Sequence, residues 1–286
     1  MRRWLKMATV GAGTVAVGTA AVARVAGARW DRATSAMLDR LTATSDEVGA
    51  TSTTLTPDEL SGLPAPVARY FEFALTAGQP LFRRAWLRWD GTFRLAPDSD
   101  WKRFTAQQHV TVRPPGFVWD ATIHLMPVIP ARVRDVYIGG EGAMLGKVAA
   151  LVPVVDERGS PELAAGALSR YLGEAVWVPT ALLPSAGVSW TPVNDSTARA
   201  TLTDGPTSVS AEFSFGDSGE IVATSMTRYR DVKGHGVPTL FEARLSSGFR
   251  RISGMMVPVE GEAAWVLPEG RSAYWRGRLA ETRYER

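Results

Sequence analysis

The sequence predicts a mainly β protein, with one large curved antiparallel sheet or incomplete β-barrel covered by one or two helices. Apolar and polar side chains alternate with a period of two over long stretches on both sides of residue 160, which is typical of half-buried strands. Ten or so such strands with one apolar face indicate a wide sheet. A sheet this wide curls or closes because its strands twist.

Composition and charge suit one globular β domain behind an N-terminal segment. Hydrophobic residues make up 45% of the 286 residues and charged residues 21%, as in ordinary globular proteins. We predict a signal peptide or membrane anchor at 1–28, a linker with a short helix at 29–58, and a single β-rich domain at 59–286. The net charge is +3, but residues 1–28 hold four basic residues and no acid. The remaining charge of −1 argues against nucleic-acid binding.

The N-terminus has the layout of an export signal. Residues 1–6 are positively charged, residues 7–23 carry no charge, and small residues follow at cleavage-like positions. Seventeen uncharged residues are also within the range of an uncleaved anchor. We therefore expect an exported, extracytoplasmic protein, or one anchored to the cytoplasmic membrane by residues 7–23. A cytoplasmic amphipathic tail is less favoured because the run has no polar face.

Before residue 160, the spacing of apolar residues changes from a helical period to a period of two, which predicts helices followed by strands. A short helix is predicted at Trp30–Leu41, followed by a Thr- and Ser-rich tether over residues 42–56. A second helix is predicted at Pro66–Thr76, where apolar residues recur on one helical face. Alternation then predicts strands near residues 87–95, 104–112, 117–125 and 132–138.

A helix interrupts the strands at residue 160. Ser160 is a suitable N-cap, Pro161 suits the first turn and Gly173 suits the C-terminal end. An apolar stretch with two prolines leads from this helix to Trp190. Further strands are predicted at residues 208–215, Ile221–Arg230, Thr239–Arg251, Val259–Leu267 and Ser272–Thr282, after a start near Val188.

The sequence contains no complete motif for binding a metal or a nucleotide cofactor. The glycine-rich segment Gly139–Lys147 lacks the spacing of a phosphate-binding loop, and Val148 stands where Ser or Thr would bind magnesium. We interpret it as a turn or bulge. The three histidines are dispersed, and there is no cysteine. The sequence predicts neither a metal nor a cofactor.

The segment Ser160–Trp190 is the best candidate for a site. Arg170 and Glu174 lie one helical turn apart beside Tyr171 and Trp177, so they form either an ordinary surface ion pair or a polar anchor in apolar surroundings. We predict a ligand-binding set without a catalytic residue: Gln107, Trp119, Arg170, Tyr171, Glu174 and Trp177.

A second constellation concerns His109 and Asp120. If the turn at Pro114–Gly116 joins two antiparallel strands, residues whose numbers sum to about 229 face each other. That register places His109 opposite Asp120, where a carboxylate could orient an imidazole for acid–base chemistry. A plain exposed cross-strand pair is the alternative.

Four blocks of sequence have a recognisable order: RYFEFAL (69–75), FTAQQHVTVRPPGFVWDA (104–121), DVYIGGEGAM (135–144) and RYLGEAVWVPTALLP (170–184). Together they resemble an uncharacterised bacterial family, DUF6544 (formerly DUF6920). The resemblance covers roughly residues 60–280 and implies no established activity. The β-rich layout is also similar, in architecture alone, to the half-barrel lipoprotein carriers.

We favour a non-catalytic module that binds an apolar or amphiphilic ligand such as a lipid. A curved sheet closed by helices forms an apolar cavity suited to such ligands. One alternative is a hydrolase that uses Glu174 or the pair of His109 and Asp120. The other is a structural or protein-interaction module.

Overall fold

A computed structural model describes residues 2–47, 54–126, 129–232, 235–246 and 248–286. Its helices are α1 (Arg2–Glu47), α2 (Ala65–Ala74) and α3 (Pro161–Glu174). Short 3-10 turns lie at Pro57–Leu60, Ala175–Trp177, Pro179–Leu182 and Pro184–Ala186. The strands are β1 (Arg84–Phe93), β2 (Lys102–Thr111), β3 (Gly116–Met126), β4 (Ile129–Ile138), β5 (Glu141–Val148), β6 (Val152–Arg158), β7 (Val188–Asn194), β8 (Thr197–Asp204), β9 (Thr207–Phe215), β10 (Ile221–Val232), β11 (His235–Leu245), β12 (Phe249–Ile252), β13 (Met255–Pro258), β14 (Glu260–Leu267) and β15 (Gly270–Glu285).

The predicted fold class is confirmed. All strands except β12 and β13 form one sheet in the order β6-β5-β4-β3-β2-β1-β15-β14-β11-β10-β9-β8-β7, and every pairing is antiparallel. The pairing of β1 with β15 joins the two halves of the chain. Within the described chain, the two edge strands, β6 and β7, do not pair with each other, so the sheet does not close into a barrel.

The strand prediction has gaps. The alternation does not predict β5 and β6, because the glycines and Pro153 between residues 139 and 160 obscure it. The interpretation of Gly139–Lys147 as a turn or bulge fits Gly139 and Gly140, whose positive φ values of 61° and 82° favour glycine, and the register shift at Gly146. It is wrong for the residues between them, which form β5. The predicted strand Thr239–Arg251 is two strands, β11 and β12.

The two faces of the sheet differ. The inner face carries the main apolar core, including Leu87, Trp89 and Phe104, and α3 packs on it. The outer face carries polar side chains such as Asp90 and Thr92 on the intervening positions of β1. This alternation is the period-two pattern of the sequence.

The two ends of the sheet also differ. By strand direction, the lower end contains the β2–β3, β4–β5, β7–β8 and β9–β10 turns, and the upper end contains the β1–β2, β3–β4, β5–β6, β8–β9, β10–β11 and β14–β15 turns. The sheet curls so far that the β8–β9 turn meets the lower end of β4, where the hydroxyl of Tyr137 donates to Asp204 (2.7 Å). Helix α2 and the β12–β13 hairpin meet through Phe73 and Phe249, whose ring centroids lie 5.3 Å apart. Ser185 lies in the segment after α3, and its backbone amide donates to the Glu59 carboxylate (2.8 Å). The guanidinium of Arg113, in the β2–β3 turn, donates to the backbone carbonyl of Ser185 (2.7 Å). The coil and helical segments therefore gather at the lower end.

Helix α1 is longer than predicted and lies on the outer face. The predicted Trp30–Leu41 helix is part of a helix that runs to Glu47, so the predicted tether is wrong over residues 42–47. Residues 48–53 of that tether lie outside the described residues. Among the described helices, none contains a stretch whose length and hydropathy suit a membrane span.

Asp120 on β3 holds α1 on the sheet. The indole NH of Trp30 donates to both carboxylate oxygens of Asp120 (3.1 and 3.0 Å), and the hydroxyl of Thr34 donates to one of them (2.7 Å). The guanidinium of Arg132 lies 3.3 Å from the same carboxylate, and Arg134 stacks on the Trp30 ring at 4.2 Å. Both arginines alternate with inner-face residues of β4, so they reach α1 from the outer side.

Three glycines in one cross-strand row bring aromatic rings close to the sheet. Gly91 pairs with Gly277, which pairs with Gly261. A Cβ on Gly91 would lie 2.6 Å from Cε1 of Phe104 and against the carbonyl of Arg276, and one on Gly261 would lie 3.2 Å from the Trp177 ring. Glycine is needed here because rings occupy the space of a side chain.

We predict that Asp120→Ala releases α1 from the sheet. The change removes the acceptor of the hydrogen bonds from Trp30 and Thr34, while Arg132 keeps its second carboxylate, Asp31, at 3.1 Å. The expected cost is about 1–3 kcal/mol. Hydrogen–deuterium exchange within residues 22–47 should accelerate while the inner-face strands keep their protection. Asp90→Ala, on the same face but 3.7 Å from its arginine, is the control. Equal exchange in both variants would contradict the role of Asp120.

We also predict that Gly91→Ala lowers the free energy of unfolding by about 1–3 kcal/mol, because the added methyl would clash with the backbone carbonyl of Arg276 and overpack the ring of Phe104. Gly166→Ala in α3 is the matched control, since its Cβ would meet open space. That change should raise stability by about 0.5–1 kcal/mol through helix propensity. Urea unfolding followed by tryptophan fluorescence measures both, and equal effects of the two changes would refute the packing argument.

Candidate functional site

Helix α3 positions the candidate site. The hydroxyl of Ser160 accepts a hydrogen bond from the Leu163 amide (3.1 Å), which confirms the predicted N-cap. The prediction for Gly173 is wrong, because this residue lies inside the helix. A Cβ there would lie 2.7 Å from Cε of Met226, so this glycine lets α3 approach β10 closely.

Arg170 forms the centre of a polar network on the inner face. Its Nε donates to Oε1 of Glu174 and its Nη1 donates to Oδ2 of Asp135, both at 2.7 Å. The amide nitrogen of Gln108 donates to Oε2 of Glu174 (2.8 Å), and the indole NH of Trp89 donates to Oε1 of Gln108 (3.0 Å). The network thus connects β1, β2, α3 and β4 by side chains alone.

The network lies in apolar surroundings. The guanidinium of Arg170 stacks 4.9 Å from the Trp119 ring centre and 5.2 Å from that of Phe117. The exposed fraction of the side chain is 14% for Arg170, 11% for Asp135 and 28% for Glu174. Burial alone lowers the pKa of the Arg170 guanidinium, but the charges and hydrogen bonds of Glu174 and Asp135 outweigh burial and raise it. The pair is therefore a buried charge cluster and not an ordinary surface ion pair.

The other predicted residues separate into three groups. Trp119 joins the network through its ring. Tyr171 donates from its hydroxyl to the Thr111 carbonyl (3.0 Å), and burial raises its pKa. Trp177 donates to the Pro258 carbonyl (3.0 Å), so these two side chains fasten α3 and the segment after it. Gln107 is exposed on the outer face, where it accepts a hydrogen bond from an indole NH (3.3 Å).

The predicted pairing of His109 with Asp120 is wrong. His109 lies opposite Val118, and Asp120 lies opposite Gln107. Burial lowers the pKa of His109, whereas Asp120 is bound by α1. Glu174 lies on the inner face, so it does not converge with His109 on one cleft.

Sequence reasoning missed an aromatic wall on the inner face towards the upper end. We give this name to Phe93, Phe241, Trp265 and Tyr274. The ring of Tyr274 lies 5.7 Å from that of Phe93 and stacks 6.2 Å from that of Trp265, and Phe241 lies 5.6 Å from Trp265. Phe241 is buried, and the other three are half-buried. The wall therefore presents apolar surface that α3 does not cover.

Arg228 lies beside this wall. Its guanidinium stacks 4.9 Å from the ring centre of Phe241, and among the described residues no carboxylate lies within 4.0 Å of it. Its Nε is buried without a hydrogen-bond partner there. Burial raises the pKa of the Tyr274 phenol, while the charges of Arg228 and Arg170 lower it. The wall, the network and Arg228 are thus close enough to interact electrostatically.

A groove on the outer face does not belong to this site. It has a volume of about 450 Å³ and lies over the glycine row, between charged side chains of β1, β14 and β15. Its arginines are engaged, for example Arg276 with Glu262 at 2.6 Å. In the described part of the chain, no group of three or more His, Asp or Glu residues has the geometry of a metal site.

The fold defines a protein of one open antiparallel sheet with its candidate site on the inner face. A model of the family described as "Family of unknown function (DUF6920)" matches residues 61–284. The chain therefore belongs to this family, as the sequence resemblance predicts. The matched part includes all strands of the sheet and excludes α1.

Similar solved structures are remote in sequence. A domain from Vibrio parahaemolyticus, described as an outer membrane lipoprotein-sorting protein domain, is 8% identical with a TM-score of 0.39 and covers 70% of this chain and 85% of its own. A DUF1329 family protein from Desulfovibrio piger is 10% identical, has a TM-score of 0.39 and covers 71% and 86%. A β-barrel-like DUF1849 protein from Brucella abortus is 12% identical, has a TM-score of 0.26 and covers 71% and 98%. No curated protein matches the chain.

We predict that Arg170→Met lowers the free energy of unfolding by about 3–5 kcal/mol, because it leaves two carboxylates of the inner face without their cation. Adding Asp135→Asn and Glu174→Gln to this variant should restore most of the loss, since no unpaired charge then remains. Denaturant unfolding of the single and triple variants measures the difference. An equally unstable triple variant would show that packing of the arginine, not its charge, is what matters.

Proposed function

We propose that this protein is a non-catalytic, extracytoplasmic module that binds an anionic amphiphile on the inner face of its sheet. The observation that carries the proposal is Arg228, a guanidinium without a carboxylate partner beside a half-exposed aromatic wall. The wall would bind the apolar part of the ligand, and Arg228 would bind its charged head.

The apolar part of the proposal rests on burial. Phe93, Trp265 and Tyr274 are half-buried on the inner face although each is large and aromatic. Covering apolar surface contributes about 25 cal/mol per Å², so an acyl chain placed along these rings would gain stability from their remaining exposure. Aromatic rings also offer a flat surface that tolerates chains of different lengths.

The charge of the head group follows from the arginines. The charge of Arg170 is neutralised, because it pairs with both Asp135 and Glu174. Arg228 keeps its donors, and a guanidinium binds a carboxylate or phosphate with strong, charge-assisted hydrogen bonds. An anionic head would also remove the cost of a buried, unpartnered Nε.

The extracytoplasmic location is supported by the N-terminal residues. Their positive start and the uncharged residues 7–23 have the layout of an export signal or membrane tether. The hydrolase alternative has lost its predicted pair, since His109 and Asp120 are not neighbours and Glu174 lies on the other face. A binding role therefore accounts for more of the inner face than acid–base chemistry does.

We predict that Arg228→Gln weakens binding of brominated stearate at least tenfold, because the carboxylate loses its cation. Binding of the corresponding brominated alcohol should change little. The quenching of tryptophan fluorescence by bromine measures both affinities. Arg103→Gln, an exposed arginine on the outer face, is the matched control and should bind like the unmodified protein.

A second pair of variants tests the apolar surface. Leu125→Glu places a charge on the inner face beside the wall, whereas His124→Glu places one on the adjacent, outward position. We expect weak binding in the first variant and normal binding in the second. The proposal fails if the unmodified protein does not bind the stearate, or if mass spectrometry of an organic extract finds no co-purified amphiphile.

A further inference from the structure

The upper end of the sheet carries most of the exposed large apolar side chains. On or next to the strands, these upper-end residues are Leu95, Met126, Leu151, Val152, Val154, Tyr229 and Val237, and we call them the upper rim. Of the other exposed large apolar side chains on described strands, Leu240 lies midway along β11, and Val193 and Val222 lie at the lower end. The asymmetry is not expected of a surface that meets only water.

The rim residues come from neighbouring turns. Met126 ends β3, and its pairing with Ile129 closes the β3–β4 hairpin. Ala131 of β4 pairs with Val148, which pairs with Val152 of β6. The exposed fraction is 54% for Met126 and 60% for Val152. These turns therefore form one apolar corner of the sheet.

Helix α1 points its N-terminal half to the same end. Leu41 lies against Gly116 near the β2–β3 turn, and Asp46 pairs with Arg84, so the end of α1 lies at the lower end. Trp30 lies halfway up, at Asp120. Because a helix rises about 1.5 Å per residue, the exposed Val22 lies about 12 Å further towards the upper end. The chain that precedes it, with the uncharged residues 7–23, leaves the domain there.

We propose that the upper rim is a contact surface for a lipid bilayer. Apolar side chains on protruding turns, next to an uncharged N-terminal segment, match the interfacial region of a bilayer, where shallow insertion suffices. The exposed Arg24 and Arg29 of α1 lie in its upper half and suit anionic head groups. This contact requires no helix that spans the bilayer.

The position of the upper rim also determines how the inner-face site is oriented relative to the bilayer. Phe93 and Leu125 point inward, and each lies within two residues of an exposed rim residue, Leu95 or Met126. With the rim on a bilayer, the aromatic wall opens towards the lipid, and an amphiphile can pass between them without crossing water. This second part rests on the proposed function, whereas the bilayer contact does not.

Single-cysteine labelling tests the contact, because the chain has no cysteine of its own. Full-length Met126→Cys and Val152→Cys, labelled with the environment-sensitive dye NBD, are mixed with vesicles of phosphatidylethanolamine and phosphatidylglycerol. We expect a blue shift and a several-fold rise in emission for both labels. Val193→Cys, exposed to a similar degree at the lower end, should keep the spectrum it has in water.

A charge variant supplies the second measurement. Val152→Glu with Val154→Glu should lower partitioning onto these vesicles at least tenfold, whereas Val193→Glu with Val222→Glu should leave it unchanged. The rim variant should still bind brominated stearate in solution, which separates bilayer contact from ligand binding. The proposal is wrong if the labelled rim residues show the same emission spectrum with vesicles as in water. It is also wrong if the shift appears only at high protein concentration, or if the full-length protein does not bind vesicles.

Discussion

The width of the apolar inner face is the constraint on which the rest of this structure depends. Thirteen strands spaced by about 4.8 Å form a curved surface nearly 60 Å wide, whereas the fourteen residues of α3 extend about 21 Å. One helix cannot cover such a face. The chain covers the lower half with α2, the β12–β13 hairpin and the segment after α3, and the upper half keeps a half-exposed aromatic wall.

The charge network around Arg170 marks the boundary between these halves. A buried guanidinium is stable only if its desolvation is offset by nearby charges and hydrogen bonds, and Asp135, Glu174 and Gln108 supply them. Because the partners come from β2 and β4 as well as α3, the network fixes the height and rotation of the helix on the sheet. The network therefore positions the site, and its cation is already paired with two carboxylates.

Local patterns predicted the fold and the location of α3, because alternation and capping depend on a few adjacent residues. Contacts across strands were harder to predict. The register between β2 and β3 differs by two residues from the predicted one, so His109 lies opposite Val118 and not opposite Asp120. A change of register alters every cross-strand pair at once. For Gln107 and Gln108, the prediction chose the wrong member of the pair, although Gln108 shares the apolar parity of Phe104 and Ala106 in the sequence.

A polar residue at an apolar position of a strand was thus the unused signal. Gln108, Asp135 and Arg228 each occupy an inner-face position, and each contributes to the site or the wall. Burial of such a side chain is costly unless it has a partner. Two of the three find partners within the described protein, and Arg228 does not. Arg230, two residues further along the same face of β10, also has a buried Nε without a hydrogen-bond partner among the described residues. The same rule that accounts for the Arg170 network therefore points to this part of β10, and to Arg228 beside the aromatic wall, as the position where a molecule from outside completes the inner face.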